Sequence, residues 1–518
     1  MNETANGIAG SERIVAMPGA RGAEPVAETE VAVSGLAAAA RHLWDEGGRM
    51  QMVYGLWREP GRLELRYLVV RPRPRGFEVW IVDPDGGPVP SLADIWPLIG
   101  WSEREVTDLF GFVFADHPEP FRLVLHKGAR TEHPPFDPRA GDRPVTVSGE
   151  RRTVPALEGD GSDVQLLPYG PVRADVVESG EFLFFYIGEQ ILHYHPQLFF
   201  KHRGMEKRFE GLEPQAGTVL AERVSGVGSV AHALAYCQAV EAAAGCVVPK
   251  RAAWLRVLLA EMERLYNHLH FLGHLADTTT LKVGQAEGRL LEERAKQLNA
   301  RLTGSRFLRS VLKPGGLRRD LFPRDWLAAE LEEIRQEAAR YAQLLDDTDS
   351  FLDRLITTGR LYRKVAFDQG ATGPIERASG MDRDLRRDRP YAAYADMPLT
   401  VPVETAGDAY ARFKVRAAEI DASFVLMQRV LLLLPEGEID ADCRPAPGTR
   451  GLGWAESPRG TLFYAVHVGA NGRLARVKIK SPSFSNWRVF PFTVHDSNMM
   501  DYAINEASFG LTIAGCDR

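Results

Sequence analysis

Glu222-Arg-Val-Ser-Gly-Val-Gly-Ser-Val-Ala-His-Ala-Leu-Ala-Tyr-Cys-Gln-Ala-Val-Glu241 is the stretch that decides how this chain is read. In its second half Val230, Leu234, Cys237 and Val240 recur at three- and four-residue steps with alanine between them, which is the period of a helix. Its first half, Ser225-Gly226-Val227-Gly228, is a small-residue turn that delivers the chain into that helix. Gly226, Gly228 and Ala231 also fit G-x-G-x-x-A, the fingerprint of a dinucleotide site. That fingerprint needs a hydrophobic strand before it and an acid about 20 residues on, at the end of a second strand. Here Glu222 and Arg223 precede the turn, and the next acid, Glu241, falls inside the same helical pattern. The nucleotide reading is therefore set aside.

Working outward, a chain of 518 residues predicts two or three domains. A net charge of −6 gives no support to nucleic acid as a partner. No apolar run reaches the length of a membrane span; Val430-Leu-Leu-Leu-Leu434 stops at once in Pro-Glu-Gly. No basic region followed by an apolar one opens the sequence, so export by a signal peptide is not expected. Cys237, Cys246, Cys443 and Cys516 form no C-x-x-C pair, which argues for a reducing compartment and against a disulfide framework or a four-thiolate metal site. Cys237 and Cys246 read as buried packing on an alanine-rich helix.

Composition divides the chain into a loose arm over residues 1–31, a first domain over 32–126, a linker over 127–166 and a second domain over 167–518. In the first domain, 63–70 and 77–82 are strand-like runs separated by proline and glycine. Residues 101–111 read as an amphipathic helical turn that ends at Gly111 and buries Val106, Leu109 and Phe110. In the second, 181–187 and 190–194 can pair as a hairpin through Gly188-Glu189. Helices dominate from Glu241, one of them carrying the stripe Leu258, Met262, Leu265, Leu269 and Leu272. Residues 327–355 read as one long bundle helix, and the last seventy residues as strands. His268, His270 and His274 invite a metal reading, but no thiol or carboxylate accompanies them in a ligand pattern. They are expected to be packed and exposed helix histidines.

The run from Ser229 through Ala231, His232, Ala235, Tyr236, Ala239 and Glu241 resembles the metal-site segment of large subunits of formate hydrogenlyase-type membrane-bound [NiFe] hydrogenases, C-G-x-C-S-x-A-H-x-x-A-Y-x-x-A-x-E. Trp101 to Pro118 resembles the W-x-E-R-E-x-x-D-x-F-G-x-x-F-x-x-H-P signature of the small peripheral-arm, 30-kDa-type subunit of respiratory complex I, whose charged residues would brace a turn. His202-Arg-Gly-Met-Glu-Lys207, Gly373 to Tyr391 with its core arginines, Glu456-Ser-Pro-Arg-Gly460 and Arg476 to Asn486 are similar to further motifs shared by these hydrogenases and the quinone-site large subunit of complex I. The resemblance implies an α+β domain fused to a mainly α large-subunit domain with small β-sheets at its two ends.

It also implies a site. Where these hydrogenases carry four cysteine ligands, this chain has Ser225, Gly228, Thr512 and Gly515. A soft metal needs thiolate sulfur, which a hydroxyl or a hydrogen atom does not replace. No nickel–iron centre and no other metal is expected. Glu178 corresponds to the glutamate beside the hydrogenase metal, and Arg459 to the arginine that overhangs it. Gly226 stands where the complex I subunit has its quinone-binding tyrosine, so Ser225, Gly226, Gly228, Thr512 and Gly515 are the cofactor-side residues and Glu178 and Arg459 the catalytic candidates. The Asp517-Arg518 ending resembles that of the complex I subunit, so no tail for a maturation protease is expected. Such a subunit would dock on an iron–sulfur partner that holds the cluster. It would sit peripherally on the cytoplasmic face of a membrane arm of the antiporter-like type, and it would bind no nucleic acid. Its function would be to couple electron transfer from that partner to the membrane arm without nickel, through quinone in an altered cavity. The rival readings are a purely structural bridge with a vestigial pocket and, third, an active hydrogenase.

Overall fold

The computed structural model describes residues 26–59, 61–72, 76–84, 87–126, 128–141, 145–147, 163–172, 178–323, 325–495 and 497–518. These fall into two compact units divided near residue 158. Residues 1–25 of the arm and 127, 142–144 and 148–162 of the linker lie outside the described residues. Ala27–Glu30, assigned to the loose arm on composition, is instead strand β1, which pairs in parallel with a later strand.

In the first unit β1 is followed by helix α1, Val33–Asp45, and strands β2, Arg49–Glu59, β3, Arg62–Val70, and β4, Phe77–Val82. The sheet order is β1-β4-β3-β2, with antiparallel hairpins joining β2, β3 and β4. Helix α2, Gly100–Phe110, ends as the sequence predicts at Gly111, whose φ of 73° is costly for any residue with a Cβ. Its acids have structural work. Glu103 accepts from Leu92 N at 2.8 Å and from Ser91 Oγ at 2.5 Å. Asp108 Oδ2 accepts from the amides of Leu123, Val124 and Leu125 at 2.8, 2.7 and 3.1 Å, pinning the chain that follows the helix.

The second unit has mixed α and β content, with small sheets and a helical middle. It opens with the three-stranded sheet of β5, Gln165–Tyr169, β6, Glu181–Ile187, and β7, Gln190–Gln197, the last two joined by the expected hairpin at Gly188. The helical middle comprises α3, Ser229–Ala244, α4, Lys250–Thr278, α5, Lys282–Thr303, α6, Asp325–Asp346, α7, Asp349–Leu355, and α8, Ala409–Leu433. A second antiparallel sheet follows: β8, Arg450–Ser457, β9, Gly460–Val468, and β10, Leu474–Lys480. Helix α3 is buried over nearly its whole length. It lies so close on β8 that a Cβ on Gly451 or Gly453 would stand 2.0 Å from the carbonyl oxygen of Ala239 or Ala235. Glycine in the strand and alanine on the helix are therefore one packing solution.

Two expectations are corrected. The single helix over 327–355 is two helices, because Thr348 leaves the helical region with ψ 99° and its hydroxyl bonds back to Leu344 O at 2.7 Å. The local run Asp346-Asp347-Thr348-Asp349 competes for backbone groups and favours that break. The end of the chain is not all strand: β10 gives way to α9, Pro482–Val489, α10, Tyr502–Phe509, and α11, Ile513–Asp517. Ser481 caps α9 by accepting from Phe484 N at 3.1 Å, and Pro482 occupies its first turn.

The core of this unit holds an ionic cluster whose charges are matched. Arg264 pairs with Glu261 at 3.1 Å, Arg386 with Asp384 at 2.7 Å and Glu261 at 3.2 Å, and Arg377 with Glu419, every one of them buried. Burial and the neighbouring Asp384 raise Glu456 to about 8, so near neutral pH it keeps its proton. Three guanidiniums then face three carboxylates. Among the described residues no helix is long and apolar enough to cross a membrane.

Candidate functional site

Every residue singled out from the sequence as a site candidate comes to one place. A cavity of about 410 Å³ is lined by Glu178, Ser225, Gly226, Arg459 and Thr512, together with Asn267, His268, Phe271 and Arg416. Gly228 and Gly515 stand immediately behind Ser225. A Cβ built on Gly228 would lie 3.8 Å from Ser225 Oγ, and one on Gly515 3.6 Å from it. The four positions to which the resemblance assigns cysteine ligands therefore converge, although they come from the turn before α3 and from the end of the chain.

That cradle offers two hydroxyls and no thiolate. Thr512 uses its hydroxyl as the N-cap of α11, accepting from Gly515 N at 3.2 Å, and lies 3.2 Å from Ser483 Oγ. A Cβ on Gly515 would meet Thr512 Oγ1 at 2.4 Å. The donor set does not fit a nickel–iron centre, since neither the ligand chemistry nor the space around Gly515 is that of a thiolate site.

Arg459 sits in the turn between β8 and β9, where Ser457 Oγ accepts its amide at 3.2 Å. Its Nε donates to Gly510 O at 2.8 Å and its Nη1 to Asn267 Oδ1 at 2.7 Å. Burial pulls this guanidinium below its ordinary range. Among the described residues it forms no ion pair. Glu178, which lines the same cavity, is not paired with it among the described residues. The Glu178 carboxylate instead accepts from Ile513 N at 2.5 Å and Ala514 N at 3.1 Å, at the start of α11. The exposed amides of a helix start attract a carboxylate, and that attraction has claimed this one.

The turn itself is held from behind by groups the sequence did not single out. Glu263, fully inside, accepts from Val230 N at 2.6 Å and Ala231 N at 3.0 Å, and burial raises it to about 7. Asn267 Nδ2 donates to Val227 O at 2.8 Å, and Tyr266 OH to the same oxygen at 3.0 Å. Arg309 reaches in from the far side to Ser229 Oγ and Gly226 O, both at 3.1 Å. Glu263, Asn267 and the cavity-lining Phe271 recur every four residues along α4; that spacing on one face was the signal available in the sequence. Arg416, on α8, left no comparable signal.

The histidines divide as expected. His268 is buried, with Nε2 at 2.7 Å from Glu419 Oε2, while His270 is exposed and lies 3.0 Å from Glu292. His232 in α3 is buried against Tyr464 OH at 2.8 Å, and desolvation lowers it to about 3. Cys237 is fully buried and its thiol is pushed up to about 12, while Cys246 is half-buried.

The chain is 31% identical over 472 residues to formate hydrogenlyase subunit 5 of Escherichia coli (strain K12), an alignment that covers 88% of this chain and 83% of that one. It belongs to the family of the formate hydrogenlyase and complex I large subunits. Within that family, hydrogenase-4 component G of the same organism is 30% identical over 81% of this chain and 74% of its own length. The C/D subunit of the NADH-quinone oxidoreductase of Cereibacter sphaeroides (strain ATCC 17025 / ATH 2.4.3) is 28% identical over 83% and 82%. Residues 29–138 match the family described as respiratory-chain NADH dehydrogenase, 30 Kd subunit; 290–448 and 444–518 match the 49 Kd subunit of the same respiratory enzyme; and 203–293 match nickel-dependent hydrogenase. This chain of the formate hydrogenlyase and complex I family is thus a fusion of the 30-kDa and 49-kDa types. Among solved structures, a chain of the membrane-bound sulfane sulfur reductase, an archaeal respiratory membrane complex, superposes with a TM-score of 0.65 at 25% identity, over 70% of this chain and 100% of that one.

Proposed function

We propose that this chain is the large subunit of a membrane-bound, hydrogenase-like and complex I-like oxidoreductase complex that works without nickel. It couples electrons from an iron–sulfur partner to an antiporter-like membrane arm, on the cytoplasmic side of the membrane. The observation that carries the reading is Arg459, held by Asn267 and Gly510 on a cavity that Ser225 and Thr512 line with hydroxyls. A guanidinium stabilises a carbonyl oxygen that gains negative charge, and reduction of a quinone develops such a charge. Quinone is therefore the acceptor this site suits.

The test is made on the assembled complex in lipid. Elemental analysis should find no nickel, hydrogen evolution should be absent, and quinone reduction should fall at least tenfold in Arg459→Ala with assembly intact. Stoichiometric nickel together with hydrogen turnover sinks the reading.

One observation favours the structural-bridge alternative. Glu178 and Thr512 have both been taken into the N-terminus of α11, where they serve the backbone. Full quinone activity in both Arg459→Ala and Glu178→Gln would establish that alternative instead.

A further inference from the structure

The arginines of this unit fall into two groups. Arg256, Arg264, Arg377, Arg386 and Arg476 are buried, and each meets a carboxylate: Glu241, Glu261, Glu419, Asp384 and Glu206 respectively. Among the described residues Arg412, Arg416 and Arg459 do not; Arg412 spends its donors on Ser508 Oγ, Asn505 Oδ1 and the carbonyls of Gly359 and Gly407. Arg416, only 2% exposed, spends Nη1 on Arg412 O at 3.3 Å and Ser508 O at 3.1 Å, and Nη2 on Phe509 O at 2.8 Å. Its guanidinium lies 4.0 Å from the ring centre of Phe271. Arg459 donates to Gly510 O and Asn267 Oδ1. All these acceptors are neutral; Arg416 and Arg459, unlike Arg412, line the same cavity.

The two cations meet at one residue. Gly510 gives its carbonyl to Arg459 at 2.8 Å, and a Cβ on Gly510 would stand 3.4 Å from Arg416 Nη2. The carboxylates nearby are already engaged: Glu178 by the amides of 513 and 514, Glu263 by those of 230 and 231, and Glu419 by His268 and Arg377. A buried guanidinium without a counter-charge is costly, and the cavity beside two of these three gives a counter-ion room to enter.

We propose that the cavity holds a small monoanion between Arg416 and Arg459. Two cations and the single carboxylate of Glu178 leave one positive charge for the ligand to match. Phe271, Pro458, Ala507 and Leu511 make much of the wall apolar, so the site takes a small, weakly hydrated anion, a carboxylate or a heavy halide, over a strongly hydrated one. The site is the cavity of the function proposed above, but anion binding is read in the full-length chain alone. Its outcome is independent of whether the assembled complex reduces quinone.

The probe is sodium bromide, titrated against the purified chain with ionic strength held constant by sodium fluoride. Wild type should show a saturable rise in unfolding temperature, and crystals soaked in bromide an anomalous peak between Arg416 and Arg459. In Arg459→Met both signals should be lost, with an unchanged circular dichroism spectrum showing that the variant is folded. Arg416→Met should lose them too; if it does not fold, Arg459→Met alone decides. No saturable shift in wild type, or a shift and peak that persist in folded Arg459→Met, overturns the proposal.

Discussion

Glu178 precedes Ile513 by 335 positions, yet its carboxylate takes the amide proton of Ile513 at 2.5 Å and that of Ala514 at 3.1 Å. The beginning of the large-subunit unit thereby holds the first turn of its last helix. Removing the charge while keeping the shape should loosen that helix first. Glu178→Gln should cost about 1.5–3 kcal/mol, the range of a hydrogen bond to a charged acceptor. Amides 513–517 should exchange with solvent faster than those of α3. Uniform exchange across both helices would show that the contact carries no special weight.

Gly515 and Thr512 should behave as a coupled pair. Gly515→Ala places a methyl 2.4 Å from Thr512 Oγ1 and should destabilise by about 1–3 kcal/mol through overpacking. Thr512→Ala loses the cap, worth about 1 kcal/mol. In the double variant the collision is gone, so the total should fall short of the sum by at least about 0.5 kcal/mol in a double-mutant cycle. Additive losses would contradict the geometry.

Glu263 makes the protein less stable as pH rises. Its folded value, about 7, lies above the ordinary 4.5, so between those pH values the unfolded chain has released a proton that the folded chain still holds. Stability from this group is complete below about pH 4.5, declines through that window and is level above it. The decline is on the order of 3 kcal/mol. Denaturant melts of wild type and Glu263→Gln should show curves that diverge between pH 4.5 and 7, the variant being the flatter. Parallel curves would refute the assignment.

His232 acts in the opposite direction. Buried and lowered to about 3 from 6.5, it stays neutral in the fold while the unfolded chain takes up a proton below pH 6.5. Its contribution is present above pH 6.5 and is lost as pH falls towards 3. His232→Gln should lower stability at pH 7, because Tyr464 loses its partner, yet should reduce the additional loss seen at pH 4.5. Measuring both variants at both pH values separates the packing cost from the protonation cost.

Arg377 is the test of the ionic core. Arg377→Met leaves Glu419 without its closest cation and exposes Glu456 and Asp384 to each other, so a loss of about 3–5 kcal/mol is expected by chemical denaturation. Arg459→Met, whose arginine has no carboxylate partner among the described residues, should lose far less. Equal losses would remove the distinction drawn between the two groups of arginines.

Much of the fold is legible because it is written in short-range pattern. Strands β3 and β4 are bounded by proline and glycine, α2 stops at Gly111, and α4 carries its stripe every three or four residues. The misreadings arose where polar side chains speak to the backbone. Thr348 breaks a helix that the leucine pattern would continue, and Ser481-Pro482 starts one where the sequence looked strand-like. At the site, motifs separated by more than 280 residues converge, as Ser225 and Gly515 do. Which partner each side chain takes was not legible. Glu178 and Arg459 share a cavity, but two free amides at a helix start outcompete a guanidinium that has neutral acceptors at hand. The role of Arg416 depends wholly on where α8 and α10 cross, which no local pattern encodes.

The seat of α3 on β8 has an evolutionary consequence. In many metalloproteins the bound ion is part of the folding free energy, so losing a ligand means losing the fold. Here the helix that presents the cysteine-position turn is clamped by the Gly451 and Gly453 notch, by Glu263 at its start and by the Glu241–Arg256 pair near its end. None of these residues lines the cavity. On the proposed reading, a lineage could discard sulfur ligands one at a time, each step remaining foldable, and keep a shaped, charged chamber available for different chemistry.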